Sequence, residues 1–278
     1  MPELPEVETI RLRLRPLLLG RRIERARVRR RDIVGFPSAR GLESGVAGRL
    51  VRDLDRRGKY LIMRLDDGQD LVIHLRLSGH LEVVGRDEEV RYERARFDLD
   101  NGRVLSFAEP RVLGRVYLTQ RDEYPPVLAG MMKMGPEPIQ ADFDAGFLRE
   151  RLRGRKAPVK NLLLDQRIAC GVGNIYSDEA LFRAGIRPLR RAGGLDRAEV
   201  GRLARALKDV IRDGIKWCGT TLGDGRYRLP EGEPGSFQQR LAVFGREGER
   251  CRRRGCEGVV RRLRVGGRST HFCPACQK

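Results

Sequence analysis

The first residues of the chain place a ring-bound amine beside a carboxylic acid. The sequence opens Met1-Pro2-Glu3, and removal of Met1 would leave Pro2 with a free secondary amine. An α-amino group titrates near pKa ~8, so a usable fraction is unprotonated at neutral pH. Such an amine can attack a carbonyl carbon to form a Schiff base, and Glu3 can move protons beside it. The same residues also fit an ordinary helix start, with Pro5 ahead of first-turn acids.

Four cysteines near the other end of the sequence have the spacing of a zinc site. They follow the pattern Cys251-x4-Cys256-x16-Cys273-x2-Cys276, which supplies two close pairs of thiolates for one tetrahedral Zn²⁺. This segment is too short to bury much core, so a structural metal must hold it together. Its remaining residues are rich in arginine, which favours a zinc-held hairpin that binds a polyanion.

The charge of the whole chain also points to a polyanionic partner. The sequence has 57 Lys+Arg against 38 Asp+Glu, a net charge of +19 and a pI near 10.6. Nucleic acid is the first such partner to consider. No run of about 18 apolar residues predicts a membrane span, and no secretory signal is evident. We therefore expect an intracellular protein, in which Cys170 and Cys218 are core thiols rather than disulfide partners.

Hydrophobic periodicity predicts a helix followed by short strands in the first ~120 residues. Apolar positions at helical spacing over residues 6–19 end at Gly20. Residues 60–65 and 70–75 flank an Asp-Asp-Gly turn, and residues 96–99 and 103–107 flank an Asp-Asn-Gly turn. Both are hairpin patterns. They indicate an antiparallel sandwich or barrel.

The second half of the chain is predicted to be mostly helical. A proline-rich stretch marks a linker at residues 126–141. Helical spacing follows over residues 143–152, 159–164, 178–184 and 198–216, and a glycine-rich loop follows over residues 219–235. The predicted domains are therefore 1–125, 142–235 and 236–278. We interpret His74 and Trp217 as core residues and Glu179 as an acid on a helix surface.

Four segments in this order resemble one family of repair enzymes. They are MPELPEVE at 1–8, RGKYL at 57–61, the run 165–182 that contains GVGNIYSDEALF, and GGRST with FCPACQ within 266–277. Together they resemble the formamidopyrimidine-DNA glycosylase / endonuclease VIII family, along essentially the whole chain. The resemblance implies an α+β fold: an N-terminal antiparallel β-sandwich with an N-terminal helix, a helix–two-turn–helix domain and a C-terminal zinc-finger hairpin.

The resemblance implies a bifunctional glycosylase and abasic-site lyase for oxidised purines, namely 8-oxoguanine and formamidopyrimidines. The lesion is flipped out of double-stranded DNA, Pro2 attacks C1′, and β,δ-elimination cuts the strand. Glu3 is then the proton donor, Lys59 assists β-elimination, and Arg268 serves the δ step and binds phosphate. Asn174 is implied to hold phosphate. Two lysines are implied to lie near the lesion and the DNA backbone: Lys156 and Lys160.

The sequence departs from the family pattern at the positions that hold the opened DNA duplex in members of the family. Leu77 stands where a methionine wedge is usual. In the loop that usually carries two arginines and a phenylalanine, Arg111 is kept, but Val112 and Leu113 replace the other two. Tyr92 takes the place of a histidine that contacts DNA. Apolar leucine wedges can hold a base step open, but the lost aromatic removes stacking worth ~1–3 kcal/mol. These departures leave the lesion range and opposite-base preference open.

Three other functions remain open at this point. The first is an endonuclease VIII-like preference for oxidised pyrimidines. The second is a damaged-DNA-binding protein without catalysis, which would need none of Pro2, Glu3 and Lys59. The third is a zinc-ribbon transcription or ribosome-associated protein, which would leave the first ten residues unexplained. For the favoured function we expect a monomer that binds no membrane, in a bacterial-type cytoplasm and associated with the nucleoid.

Overall fold

The computed structural model describes residues 2–223 and 225–278, which divide into two compact units. Unit 1 comprises residues 2–133 with Trp217–Ser236, and unit 2 comprises Met134–Lys216 with Phe237–Lys278. The helices are α1 (Leu4–Leu18), α2 (Ala39–Val46), α3 (Ala129–Met132), α4 (Ala145–Leu152), α5 (Val159–Leu163), α6 (Asn174–Ala184) and α7 (Arg197–Lys216). The strands are β1 (Ile23–Val28), β2 (Val34–Phe36), β3 (Val51–Arg57), β4 (Tyr60–Leu65), β5 (Gln69–His74), β6 (His80–Gly85), β7 (Glu93–Leu99), β8 (Arg103–Ala108), β9 (Arg115–Gln120), β10 (Arg261–Val265) and β11 (Arg268–Phe272).

Unit 1 is a β-sandwich, as the sequence predicts. One sheet has the strand order β1-β7-β8-β6 and the other β2-β9-β5-β4-β3. Both predicted hairpins form, and their core side chains, such as Leu61 and Phe97, belong to one buried cluster. One pairing differs from the antiparallel prediction, because the short strand β2 runs parallel to β9. Residues 37–114, which include α2 and strands β3 to β8, lie between these two strands and are far longer than the crossover that a parallel pair needs.

Helix α1 covers one edge of this core and begins two residues earlier than the sequence predicts. Its inward face carries Val7, Ile10, Leu14 and Leu18 at the helical spacing, all at most 1 % exposed. The side chain of Glu6 caps the start by accepting a hydrogen bond from a backbone N–H in the turn before it. This cap places the first residues of the chain on a rigid element.

The segment Trp217–Ser236 packs with unit 1 in the structure, although the sequence suggests grouping it with the helices before it. Tyr227 and Leu229 are buried in the sandwich core. These two apolar side chains explain the grouping, because they need a hydrophobic neighbourhood that the loop itself does not offer. Trp217 is only partly buried, so it is not the core residue that the sequence suggested. The proposed domain boundaries themselves stay a prediction.

Unit 2 combines four helices with the hairpin of β10 and β11. Helix α7 buries a regular apolar face against α6, and the ring of Tyr176 on α6 stacks on Phe237 with 5.5 Å between centroids. Helix α6 begins at Asn174, four residues before the predicted start, because Gly173 in extended conformation precedes it. No helix in the described part of the chain is long and apolar enough to cross a membrane.

Candidate active site and nucleic-acid interface

The start of helix α1 holds Pro2 and Glu3 in a buried network organised by Glu6. One carboxylate oxygen of Glu6, Oε2, accepts the backbone N–H of Glu3 at 2.8 Å. The other, Oε1, accepts the N–H of Thr220 at 2.8 Å, from a residue 214 positions away. Glu3 and Glu6 are 2 % and 1 % exposed. A single buried carboxylate therefore ties the first residues of the chain to the segment that begins at Trp217.

Gly219 makes room for this contact. Its φ is +76°, a conformation that favours glycine, and a Cβ there would lie 2.9 Å from the Glu6 side chain. The neighbouring Tyr227 hydroxyl donates to the carbonyl of Cys218 at 3.0 Å. Burial, with a further contribution from the charge of Glu6, raises the pKa of Tyr227 well above its usual value. Tyr227 therefore stays a neutral donor in this network at working pH.

Lys59 lies in the turn between β3 and β4 and is largely buried, with 9 % of its surface exposed. Next to it, the ring of Tyr60 meets His74 edge-on at 4.5 Å between centroids. Burial, aided by the positive charges of Arg76 and Lys59, lowers the pKa of His74 to about 3. His74 Nδ1 accepts the N–H of Arg76 at 3.0 Å, which places the ring proton on Nε2. The imidazole is thus a neutral core residue, as predicted, and Lys59 is the cation at this point.

The structure brings the two leucines predicted as wedges together. Leu77 and Leu113 line one cavity of about 380 Å³, with Arg76 and Arg115 as the other lining residues. Leu113 is 37 % exposed, and Arg111 beside it is exposed as well. An apolar pair of one exposed and one half-buried leucine, flanked by arginines, is suited to contact with nucleic acid, where leucines can fill a vacated base position.

Tyr92 lies in the loop before β7, next to the loop that carries Arg111. Its carbonyl accepts the N–H of Glu109 at 3.1 Å, and its ring is 42 % exposed. The guanidinium groups of Arg91 and Arg94 lie 4.7 Å and 5.7 Å from the ring centroid. This stack presents two cations and an aromatic edge on the surface of unit 1.

In unit 2, Asn174 and Arg268 are joined through the hairpin backbone. Asn174 Nδ2 donates to the carbonyl of Ser269 at 2.9 Å, so the first residue of α6 is fixed against the residue after Arg268. The turn between β10 and β11 consists of Gly266 and Gly267, both with positive φ. A Cβ on Gly266 would lie 2.6 Å from the Asn161 side chain, so the turn packs closely on α5. The exposed guanidinium of Arg268 therefore projects from a rigid hairpin.

The two lysines of this region differ in accessibility. Lys160 is fully buried: its Nζ lies 2.5 Å from Asp178 Oδ1 and 3.3 Å from the carbonyl of Ser269. Lys160 therefore has no exposed surface in this structure, and its predicted place near the lesion and the DNA backbone stays a prediction. Lys156 is exposed, but in the loop before α5 rather than on the helix.

The four predicted cysteines form a metal-binding cluster. Their sulfur atoms all lie within 4.8 Å of one another, and the pairs Cys251–Cys276 and Cys256–Cys273 are 3.8 Å and 3.7 Å apart. A tetrahedral zinc with Zn–S bonds of ~2.3 Å places its sulfurs about 3.8 Å apart. Burial raises the pKa of the Cys276 thiol, so a thiolate at this position needs a compensating cation. The donor set and its dimensions fit one Zn²⁺.

Three buried acids organise these regions by accepting backbone N–H groups. Glu179 is one: it is 1 % exposed, not on the helix surface as predicted, and its carboxylate accepts the backbone N–H groups of residues 242–244 at 2.9–3.1 Å. Asp178 Oδ2 accepts the N–H of His271 at 2.8 Å. Glu109 accepts N–H groups in its own loop. Only Glu109 stands beside a proline, and Asp178 and Glu179 have neither proline nor glycine beside them, so no shared local signal marks these acids as buried.

Three family models match consecutive parts of the chain. The formamidopyrimidine-DNA glycosylase N-terminal domain matches residues 1–116, the formamidopyrimidine-DNA glycosylase H2TH domain matches 134–224, and the zinc finger found in FPG and IleRS matches 248–278. The chain is 45% identical to the formamidopyrimidine-DNA glycosylase of Thermus thermophilus over 279 residues, covering 100% of this chain and 98% of that protein. The chain belongs to the formamidopyrimidine-DNA glycosylase family. The corresponding enzyme of Xanthomonas campestris is 44% identical, with 100% of both chains covered.

Solved structures of formamidopyrimidine-DNA glycosylases confirm the predicted fold. The MutM (Fpg) protein of Thermus thermophilus superposes with a TM-score of 0.89 at 43% identity, covering 99% of this chain and 98% of that one. The Lactococcus lactis enzyme in complex with Fapy-dG-containing DNA has a TM-score of 0.89 at 32% identity, with 99% and 100% covered. The same enzyme is also known with abasic-site DNA, at a TM-score of 0.89 and 31% identity, with 99% of each chain covered. The matched zinc-finger model and the cysteine geometry confirm the predicted site for one zinc ion.

Proposed function

We propose that this chain removes oxidised purines from duplex DNA and then cuts the strand at the abasic site, with Pro2 as the nucleophile. The observation that carries the proposal is the start of α1, where Pro2 and Glu3 are buried side by side and fixed by Glu6. Binding alone needs no such arrangement. Membership of a glycosylase family gives this arrangement its chemical meaning.

The proposed reaction begins after Met1 has been removed and the damaged nucleotide has been flipped out of the stack. The Pro2 nitrogen forms a bond to C1′ while the glycosidic bond breaks, and the base leaves with a proton. Glu3 protonates the ring oxygen of the sugar, which opens the ring and leaves a Schiff base. Loss of a C2′ proton expels the 3′ phosphate, and a second elimination expels the 5′ phosphate. In this proposal Lys59 supports the first elimination and Arg268 the second.

Unit 2 is proposed to hold the DNA backbone. Asn174 begins an eleven-residue helix, and its amide keeps one N–H for a phosphate while the other donates to Ser269. Arg268 adds a guanidinium that can bind a phosphate in a bidentate manner. Lys156, exposed in the loop before α5, is a further phosphate contact. Zinc, when bound, supplies the folding energy that keeps the hairpin in place.

The wedge residues are proposed to be Leu77 and Leu113, with Arg111 reading the orphaned base. Tyr92 and its flanking arginines provide a further contact to the DNA backbone. One bidentate contact supplies ~1–3 kcal/mol of discrimination, so we expect a preference for cytosine opposite the lesion that is modest in size. We propose that the chain acts as a monomer in the bacterial cytoplasm, at the nucleoid.

Borohydride trapping tests the proposed nucleophile. The chain, incubated with duplex DNA containing 8-oxoguanine or an abasic site, should be reduced to a covalent adduct. One additional residue ahead of Pro2 turns its amine into an amide, and trapping should fall at least ~100-fold because an amide nitrogen is not nucleophilic. The same additional residue at the other end of the chain is the control. Equal trapping by the N-terminally extended protein would assign the Schiff base to a lysine instead of Pro2.

A substrate comparison tests the lesion class. Single-turnover excision should be faster on 8-oxoguanine and formamidopyrimidines than on an oxidised pyrimidine in the same sequence context. The reverse order would support the endonuclease VIII-like alternative. Tight binding of damaged DNA with neither excision nor trapping would support a protein that only recognises damage.

A further inference from the structure

Both leucine wedges stand directly after a residue in the left-handed region of conformational space. Arg76 has φ +56° and precedes Leu77, and Val112 has φ +57° and precedes Leu113. Neither is a glycine, and a β-branched valine in this region is an outlier. Such conformations persist only where the surroundings over-determine them. Something must therefore hold both loops in place.

A single carboxylate contacts both loops. Glu109, at the end of β8, is 0 % exposed. Its Oε1 accepts the N–H of Arg111 at 3.0 Å and the hydroxyl of Ser78, and its Oε2 accepts the N–H of Gly114 at 2.8 Å. Ser78 directly follows the first wedge, and Arg111 and Gly114 bracket the second. The three hydrogen bonds thus fix the two loops to one common point.

The same two loops also share one aromatic side chain beneath them. A Cβ on Gly79 would lie 2.9 Å from the ring of Phe107, and a Cβ on Gly114 would lie 2.6 Å from it. Phe107 is fully buried. Each loop thus needs a glycine to approach this ring, and neither can move far without disturbing the other.

We propose that Glu109 is a positioning residue that sets the placement of Leu77, Leu113 and Arg111 relative to one another. It does not touch the reacting atoms; it acts through the backbone of the two wedge loops. Because the backbone N–H of Arg111 donates one of these hydrogen bonds, Glu109 also governs how the orphaned base is read. This inference rests on the proposed function, since it concerns the step in which the opened duplex is held.

The test uses Glu109→Gln, which keeps the size of the side chain and one acceptor oxygen. The introduced NH₂ cannot accept from a backbone N–H or keep both loops bonded. We expect single-turnover excision of 8-oxoguanine opposite cytosine to fall about tenfold, and the preference for cytosine over adenine to shrink. Borohydride trapping on a pre-formed abasic site should change less than about twofold, since Pro2 and Glu3 are untouched. Glu82→Gln, a partly buried acid on the neighbouring strand β6, is the matched control.

A second variant keeps the inference testable if Glu109→Gln does not fold. Ser78→Ala removes only the hydrogen bond to the first loop. Hydrogen exchange on the free protein should then speed up in residues 110–114 as well as in residues 76–79, because the carboxylate loses one of its restraints. The cytosine preference should fall in the same direction as in Glu109→Gln, by a smaller factor.

The outcomes separate this inference from the proposed function. Unchanged excision and unchanged cytosine preference in Glu109→Gln would overturn the positioning role. Equal losses of excision and abasic-site trapping, together with a lower melting temperature, would also overturn it and leave Glu109 a residue needed only for stability. Failure of the unsubstituted chain to excise or to be trapped would instead overturn the proposed function.

Discussion

The two ends of the chain fix their functional groups by different physical means. At the N-terminal end, buried carboxylates hold backbone N–H groups: Glu6 joins Glu3 to Thr220, and Glu109 joins the two wedge loops. At the C-terminal end, four cysteines and a buried Lys160–Asp178 pair hold the hairpin that carries Arg268. The first region relies on a large sandwich core, whereas the second has little core of its own.

This difference determines where each region is vulnerable. When the hydrogen bonds of a buried carboxylate inside a large core are broken, the loops that it holds lose their local geometry, while the rest of the unit stays folded. A small metal-held module loses its fold when the metal leaves. Four measurements test this contrast.

Loss of zinc should have the largest effect. Chelation, or Cys256→Ser, should unfold the hairpin of β10 and β11 and weaken binding to damaged duplex DNA at least ~100-fold, because zinc contributes ~10–16 kcal/mol in comparable zinc-finger peptides. Circular dichroism and binding titrations would report the two effects. Cys218→Ser, which alters a half-buried cysteine outside the cluster, is the control and should change neither. Full DNA affinity in metal-free protein would contradict the contrast.

Breaking the buried ion pair should have the next largest effect. Asp178→Asn leaves Lys160 charged and without its carboxylate, at a cost of ~3–5 kcal/mol in the free energy of unfolding. Replacing both residues with Met and Leu should recover only part of this loss, because no buried charge then remains but the N–H of His271 loses its acceptor. Asp213→Asn, which breaks the exposed pair with Arg183, should cost less than ~1 kcal/mol. Urea unfolding followed by circular dichroism measures all three, and equal losses at Asp178 and Asp213 would refute the assignment.

Protonation of His74 in unit 1 should have a moderate, pH-dependent effect on the free energy of unfolding. The pKa of His74 is lowered to about 3 in the folded chain, against 6.5 for the ordinary side chain. Its neutral form therefore contributes stability that is complete above pH ~6.5 and is lost as the pH falls toward 3, by up to ~1.4 kcal/mol per pH unit. His74→Asn, which keeps an acceptor for the Arg76 N–H, should flatten this dependence. The same slope of stability against pH in His74→Asn as in the unsubstituted chain, measured by urea unfolding, would contradict this assignment.

The smallest effect should come from a single phosphate contact. Arg268→Ala should weaken DNA binding by a similar factor on damaged and undamaged duplexes and reduce the slope of log K against log salt by about one. Arg264→Ala, an exposed arginine on the same hairpin, is the matched control and should leave the slope within half a unit. Lost affinity with an unchanged slope would show that Arg268 shapes the hairpin instead of neutralising phosphate.

The sequence was sufficient to predict the features that depend on local spacing. The cysteine pattern, the apolar face of α1 and the two hairpins follow from periods of a few residues, and each is present in the structure. The resemblance to a family supplied the order of the domains. The family models and the superposed structures then confirmed the fold.

The contacts that position the candidate site could not be predicted in the same way. Glu6 and Thr220 are 214 positions apart, and Ser78 and Glu109 are 31 apart, so no local pattern connects them. Lys160 looks like any other basic residue until its burial against Asp178 is known. The sequence does not distinguish an acid that will be buried from one that will be solvated, because burial depends on which distant backbone N–H groups surround the carboxylate.

The return of the chain to unit 1 at Trp217 has a consequence for how the protein is made. Residues 2–133 leave the ribosome long before Tyr227 and Leu229 exist, so the first sandwich to form lacks part of its core. Until Thr220 is synthesised, Glu6 cannot accept the hydrogen bond from its N–H. The first residues of the chain are therefore synthesised early, but their contacts are completed late. The surroundings of Pro2 are complete only after more than two hundred residues have been translated, when Thr220 is present.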